Sequence, residues 1–288
     1  MSQIVWLASY PKSGNTWLRA FLSNFENDGG EPASINGLST GRIASDRSAA
    51  DNALGVECSE LTADEIDRLR PAIYRNLAEQ SENTLYLKTH DAYTFNSDAE
   101  PLFPSDITSA AVYLVRNPLD VAVSYSHHER KTVDDCIDLM SRETMELADS
   151  GETLSFQLHQ RLLSWSRHVL SWLDQRAIRL HVIRYEDLCS RPVEEFATAV
   201  RFLGLGEDRD RVERATVFSS FEVLQKQEQQ EGFREKPAGA ISFFRSGQVG
   251  TWRKFLTNRQ IERLVGDHGA VMDRLGYLSE SGVSGEPR

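Results

Sequence analysis

The chain has 288 residues, 40% of them hydrophobic and 26% charged, which suffices for a full core without structural metals or disulfides. Its formal net charge of -11 disfavours nucleic acid and other polyanionic partners, so any anionic ligand must meet a local basic pocket. The three cysteines, Cys58, Cys136 and Cys189, form neither a CxxC pair nor an even framework, which excludes a secreted disulfide scaffold and points to a reducing compartment.

Along the chain, the apolar run Ile4 to Ala8 breaks into Ser9-Tyr10-Pro11-Lys12-Ser13-Gly14-Asn15-Thr16. Trp17, Leu18, Phe21 and Leu22 then recur at helical spacing, so the segment reads as strand, loop, helix. Residues 28–60 are rich in Gly, Ser, Asn and Asp and read as a long surface excursion. Thr62 to Glu65 matches a capping box, starting a helix that Pro71 should kink or divide. Strands are expected at Thr84 to Lys88, Ala110 to Val115 and Ile178 to Arg184, with a helix opening at Pro118. Helical spacing continues over Leu154 to Leu173, Pro192 to Leu203 and Ile261 to Leu275. The polar stretch from Lys226 to Gly250 reads as a mobile loop that orders over a ligand. Alternating strands and helices predict an α/β fold with a central parallel sheet flanked by helices. The expectation is one domain over residues 1–288, with a flexible tail over about 278–288. Met1-Ser2-Gln3 carries no basic leader, and no run approaches the roughly 18 apolar residues of a membrane span, so no membrane span and a cytoplasmic location are expected.

The first loop carries chemistry of its own. A strand ending in small residues and feeding a helix directs several backbone N–H groups and the positive helix end at one point, an arrangement suited to phosphate. Lys12 adds a charge, Gly14 permits close backbone approach, and Ser13, Asn15 and Thr16 add donors. The lysine precedes the glycine, however, so this is not the GxxxxGK[ST] loop of magnesium-dependent kinases.

Tyr10 to Trp17 resembles the 5'-phosphosulfate loop of the sulfotransferases that use 3'-phosphoadenosine 5'-phosphosulfate (PAPS). Arg116-Asn117-Pro118-Leu119-Asp120, continuing to Ser124 and Tyr125, resembles that family's second signature, and Tyr86-Leu87-Lys88-Thr89-His90 its Lys-Thr-His segment. Phe244 to Thr257 is similar to the family's glycine-containing segment near the C-terminus, with Ser246 in place of a lysine, Thr251 of an aspartate and Arg253 of a lysine.

The resemblance implies a P-loop-like sulfotransferase architecture and direct transfer of a sulfuryl group from PAPS to a hydroxyl of a small-molecule acceptor, with no metal. It assigns His90 as general base and Lys12, helped by Lys88, to the leaving phosphate. Lys12, Ser13, Gly14, Asn15, Thr16 and Trp17 would hold the 5' side of the donor, and Arg116, Ser124, Arg245, Ser246 and Gly247 the 3'-phosphate. Tyr185, Ser219 and Phe221 would lie near the adenosine. Tyr93, Phe95, Tyr125, Phe156, Phe233 and Phe243 are candidate acceptor walls, as are His127 and His128. The family's pairing string survives only as Arg253, Thr257, Asn258 and Glu262, so it fixes no oligomeric state.

Overall fold

The computed structural model describes residues 3–148, 155–237, 240 and 242–281. Four strands, β1 (Ile4–Ser9), β2 (Leu85–Thr89), β3 (Thr108–Val115) and β6 (Leu180–Arg184), form a parallel sheet in the order β2-β1-β3-β6. A separate antiparallel pair joins β4 (Glu146–Leu147) to β5 (Gln160–Arg161). The helices are α1 (Asn15–Asn27), α2 (Arg47–Leu54), α3 (Ala63–Gln80), α4 (Pro118–Glu129), α5 (Val133–Ser141), α6 (Trp165–Asp174) and α7 (Tyr185–Ser190), then α8 (Pro192–Leu203), α9 (Arg209–Phe218), α10 (Phe221–Glu231), α11 (Trp252–Phe255), α12 (Asn258–Arg274) and α13 (Tyr277–Ser281).

Why the strands are apolar throughout follows from their two covered faces. Successive side chains point to opposite faces, and both faces are packed. Trp6, Ala8, Leu87, Ala111 and Tyr113 enter one core with residues of α3 to α6 and α12. Val5, Leu7, Tyr86, Val112, Leu114 and Ile183 enter the other, with α1 and α7 to α9. The strand ends are level: Ala8 pairs with Thr89, Ser9 with Leu114 and Val115 with Arg184. From β1 the chain returns to one flank of the sheet, and from β3 to the other. The crevice beyond the carboxyl ends of β1 and β3 is therefore the topological switch point, where ligands of such sheets bind.

The structure departs from the sequence reading at four places. Residues 28–60 are not a bare excursion: α2 forms there, capped by the Asp46 carboxylate accepting from Ala49 N–H, and Ala50 and Cys58 are buried. Pro71 does not divide α3, because the carbonyl it leaves without an intrahelical donor, that of Asp67, receives the Asn96 side-chain amide at 3.5 Å. The helix expected over Leu154 to Leu173 begins only at Trp165, where the Ser164 hydroxyl caps Arg167 N–H; Leu154 lies outside the described residues, and the intervening segment supplies β5. The stretch read as a loop from Lys226 stays helical to Glu231. Of the expected tail over about 278–288, residues 278–281 belong to α13 and the rest lies outside the described residues. Among the described residues no helix is long and apolar enough to cross a membrane.

Candidate active site

Each strand of the parallel sheet delivers a candidate residue just past its carboxyl end: Lys12 after β1, His90 after β2, Arg116 after β3 and Tyr185 after β6. All four line one cleft of about 730 Å³, together with Gly14, Asn15, Thr16, Trp17, Lys88, Ser124, Phe221, Arg245, Ser246 and Gly247. Ser13 lies just behind the wall, buried, with its hydroxyl unpaired among the described residues. Ser219 does not reach the cleft; it is buried and its hydroxyl donates to the carbonyls of Ala215 and Thr216.

The loop after β1 is locked by its backbone. Lys12 adopts a left-handed φ of 67° and Gly14 a φ of 100°, conformations that bend the chain back before α1. A Cβ on Gly14 would lie 2.7 Å from the Tyr185 ring, so only glycine lets that ring close on the loop. The Asn15 amide donates to Leu7 O at 2.8 Å and Ser9 Oγ at 3.2 Å, binding the helix start to its own strand.

Arg116 joins the two loops that flank the switch point. It donates to Lys12 O at 3.1 Å and to Gln248 O at 3.0 Å, and its guanidinium lies 4.3 Å from the Tyr185 ring centroid. Asp120 fastens the same C-terminal segment, accepting Gly250 N–H at 2.7 Å, the Thr251 hydroxyl at 2.8 Å and Trp252 N–H at 3.0 Å. Thr251, a departure from the family pattern, thus becomes a donor to Asp120. Gly247, at φ 58°, sits under the Phe221 ring, and an added Cβ would be 2.5 Å from it.

Among the described residues, Lys12, Arg116 and Arg245 converge here without an ion pair to a carboxylate. Burial and then the positive charges of Arg116 and Lys88 pull Lys12 down to about 8, and burial with Arg116 lowers Arg245. Nε of Arg116 and Nε1 of Trp17 are buried without a partner among the described residues. Lys12 Nζ rests 3.2 Å from His128 Nδ1 and 4.4 Å from the centre of the Phe243 ring. Converging cations and orphaned donors in a chain of net charge -11 fit a multiply charged anion such as a nucleotide carrying several phosphates.

His90 is arranged differently. Its Nδ1 lies 2.7 Å from the Ser9 carbonyl, which can only accept, so Nδ1 carries the proton and Nε2 keeps a lone pair. Burial, then the Lys88 charge, holds the ring well below the usual histidine range and therefore neutral. Its own carbonyl is 3.0 Å from His168 Nε2, and His168 Nδ1 is 2.8 Å from the Tyr113 hydroxyl. The next residue, Asp91, is clamped by the buried Arg70 guanidinium and accepts Arg161 N–H at 2.9 Å. The base candidate therefore sits on a rigid strand end.

At the other end of the cleft, Ile43, Leu147 and Ala148, the segment Ser155–Gln157, Gln160, and Arg234–Pro237 form the walls. Of the aromatic residues proposed for it, Tyr125, Phe156 and Phe243 line the cleft and Phe156 is 95% exposed, whereas Tyr93, Phe95 and Phe233 do not line it. His128 lines it too; His127 instead packs edge-on to Phe255. Three residues that sequence reasoning missed act here: Asp120 as the anchor of the C-terminal segment, His168 behind His90, and Glu235, which pairs with Lys88 at 2.9 Å. Only Asp120 carried a signal, its place in the Arg-Asn-Pro-Leu-Asp string.

Comparison with known proteins agrees with this geometry. The chain is 25% identical to mouse Sulfotransferase 1B1 over 263 residues, covering 89% of this chain and 78% of the relative. It is also 25% identical to Flavonol 3-sulfotransferase of Flaveria bidentis, over 90% of this chain and 78% of the relative. Among solved structures it is similar to mouse sulfotransferase SULT7A1 complexed with PAP, with a TM-score of 0.63, 20% identity, and coverage of 97% of this chain and 89% of that one. Retinol dehydratase in a complex with retinol and PAP aligns with a TM-score of 0.61 and 19% identity, over 93% of this chain and 81% of that one. The model of the sulfotransferase domain matches residues 2–276, and the chain belongs to that family.

Proposed function

We propose that this sulfotransferase takes its sulfuryl group from PAPS, transfers it in one direct displacement to a hydroxyl of a small, largely apolar acceptor, and releases adenosine 3',5'-bisphosphate (PAP). The observation that carries the reading is the delivery of Lys12, His90, Arg116 and Tyr185 by four parallel strand ends into one cleft, where neither Lys12 nor Arg116 is ion-paired to a carboxylate among the described residues. The PAP present in both structural neighbours supports the donor. When bound, PAPS supplies the activated sulfuryl group and a phosphate leaving group. Lys12, the N–H groups around Gly14 and the start of α1 would hold its 5' side. Arg116, Ser124, Arg245 and Gly247 would take the 3'-phosphate, and Tyr185 and Phe221 the adenosine.

His90 is suited to receive the acceptor's proton at Nε2, because its Nδ1 proton is spent on Ser9 O and its ring is neutral. Lys12 is the cation best suited to negative charge developing on the leaving oxygen, since burial strengthens its field. Lys88, paired with Glu235 at 2.9 Å, lines the cleft and adds its charge beside Lys12 and His90. The whole chain would serve this cleft as one domain, with side-chain cations and no metal meeting the charge.

Calorimetric titration with PAP, and in parallel with ATP and magnesium, tests the reading. We expect micromolar, metal-independent binding of PAP, weakened about 100-fold in Arg116→Ala as a charge-assisted contact is lost, on the order of 3 kcal/mol. Binding of ATP with magnesium alone would overturn it in favour of a kinase.

A further inference from the structure

A partly buried ion triad lies beside β2, and only its Lys88 has entered the reaction described so far. Arg19 of α1 is fully buried, with Nε and Nη1 lacking partners among the described residues. Its Nη2 donates to one carboxylate oxygen of Glu235, and the other oxygen accepts from Lys88 Nζ at 2.9 Å. Glu235 is held below the usual glutamate range and is ionised: the Lys88 and Arg19 charges and the Lys88 hydrogen bond outweigh the burial that pushes it up. It belongs to the segment Gly232–Pro237 after α10, whose residues Arg234 to Pro237 form part of the cleft wall. That segment is tied at its start to the excursion before α2, where Asn36 donates to Gly232 O at 3.0 Å and accepts Arg234 N–H at 2.9 Å. Glu235 is its only contact that reaches the floor of the cleft among the hydrogen bonds of the described residues.

We propose that Glu235 is a positioning residue. Acting through Lys88, it fixes the ammonium two residues before His90 and pins the acceptor-side wall to α1 and β2. The inference rests on the reading of the cleft as a sulfuryl-transfer site. Two consequences follow from charge alone. Without Glu235, two buried cations from adjacent elements would face each other uncompensated, at a high desolvation cost. Lys88 would then shed its proton or swing away, and it is one of the charges that act on Lys12, His90 and His128. One carboxylate on the wall thus sets the charge state of the floor.

The test compares wild type, Glu235→Gln and Glu235→Asp, each checked for folding by circular dichroism, with three readouts. Competitive acetylation is mapped by mass spectrometry with Lys131 as exposed reference; Lys88 should label about 10-fold faster in Glu235→Gln and at an intermediate rate in Glu235→Asp. Limited chymotrypsin digestion should cut after the buried Phe233 about 10-fold faster in Glu235→Gln, with other sites unchanged. PAP affinity by calorimetry should change less than 3-fold, because Glu235 is on the acceptor side. Unchanged labelling of Lys88 and unchanged cutting, in a protein that binds PAP, would overturn the inference and leave the transfer reading standing. A wild type that does not bind PAP would overturn the transfer reading, while labelling and cutting would still decide whether Glu235 holds Lys88.

Discussion

The two halves of the cleft are built by opposite means. The half proposed for the donor is made of strand ends and short motif segments whose positions are fixed several times over: Gly14 under Tyr185, Gly247 under Phe221, Arg116 bonded to both loops, Asp120 accepting from three groups. The half proposed for the acceptor comes from Ile43, Leu147 and Ala148, Ser155 to Gln157, Gln160, Arg234 to Pro237 and Phe243, held by a few polar ties, and its Phe156 stands almost entirely in solvent. A group common to every turnover rewards rigid, local recognition, because preorganisation removes the ordering cost of each binding event. A wall that selects one acceptor among many is assembled from long-range contacts that can change without disturbing the sheet. Substitutions in the two halves should therefore separate donor from acceptor effects.

The largest effect is expected at the boundary. His90→Ala should lower kcat by about 10³-fold, the usual worth of a well-placed general base, while leaving PAP affinity within a factor of a few. Stopped assays with PAPS and a phenolic acceptor, together with calorimetry, measure both quantities. A loss of PAP binding of the same size would instead make His90 a donor contact. In the donor half itself, Gly247→Ala meets the Phe221 ring at 2.5 Å with a φ of 58° that alanine resists. Strain and overpacking of about 2 to 3 kcal/mol should appear as roughly 100-fold weaker PAP binding. Unchanged affinity would show that the segment carrying Arg245 lies away from the donor.

Much of the donor half was legible because each piece of it is local. Lys12 and Gly14 lie within one strand, loop and helix, and Arg116 and Ser124 within another, so local pattern and the resemblance it carries were enough to nominate them. What escaped depends on contacts between segments far apart in the chain. His168 reaches the His90 carbonyl from 78 residues away, and Glu235 reaches Lys88 from 147. Glu235 sits in a polar run where a charged side chain signals only solvation. Likewise the continuity of α3 through Pro71 depends on Asn96, a side chain from beyond the next strand. The parallel sheet was legible because runs buried on both faces are apolar without alternation; α2 was not, because only Asp46 and a few small residues announce it.

A smaller effect should come from pH. Lys12 in the free protein titrates at about 8, lowered chiefly by burial and by its cationic neighbours. An anion binds the protonated form, so PAP affinity should fall as pH rises through 8; on the acid side it should weaken only below about pH 6, where the phosphates of PAP take up protons. From pH 7.5 to 9.5 the loss should be about 25-fold, because the protonated fraction approaches a tenfold drop per unit above the pKa. Lys12→Met should bind more weakly throughout and lose this slope. A slope that survives the substitution would assign the titration to another group.

The smallest effect is expected where the acceptor half is most open. Phe156 is 95% exposed at the rim of the cleft, so Phe156→Ala removes almost no burial from the free protein and should leave its melting temperature unchanged. A bound apolar acceptor would cover part of that ring, and half of a phenylalanine's burial is worth about 1 kcal/mol, so the acceptor KM should rise 3- to 5-fold. PAP affinity and kcat should not move, because the ring stands almost wholly in solvent. If KM is unchanged across a series of phenols of increasing size, acceptors enter past the Phe243 side of the cleft, and the same series on Phe243→Ala should then show the rise. If PAP affinity falls instead, the two halves are coupled through the strap that carries Glu235, and the separation between fixed donor recognition and adaptable acceptor selection breaks down at that strap.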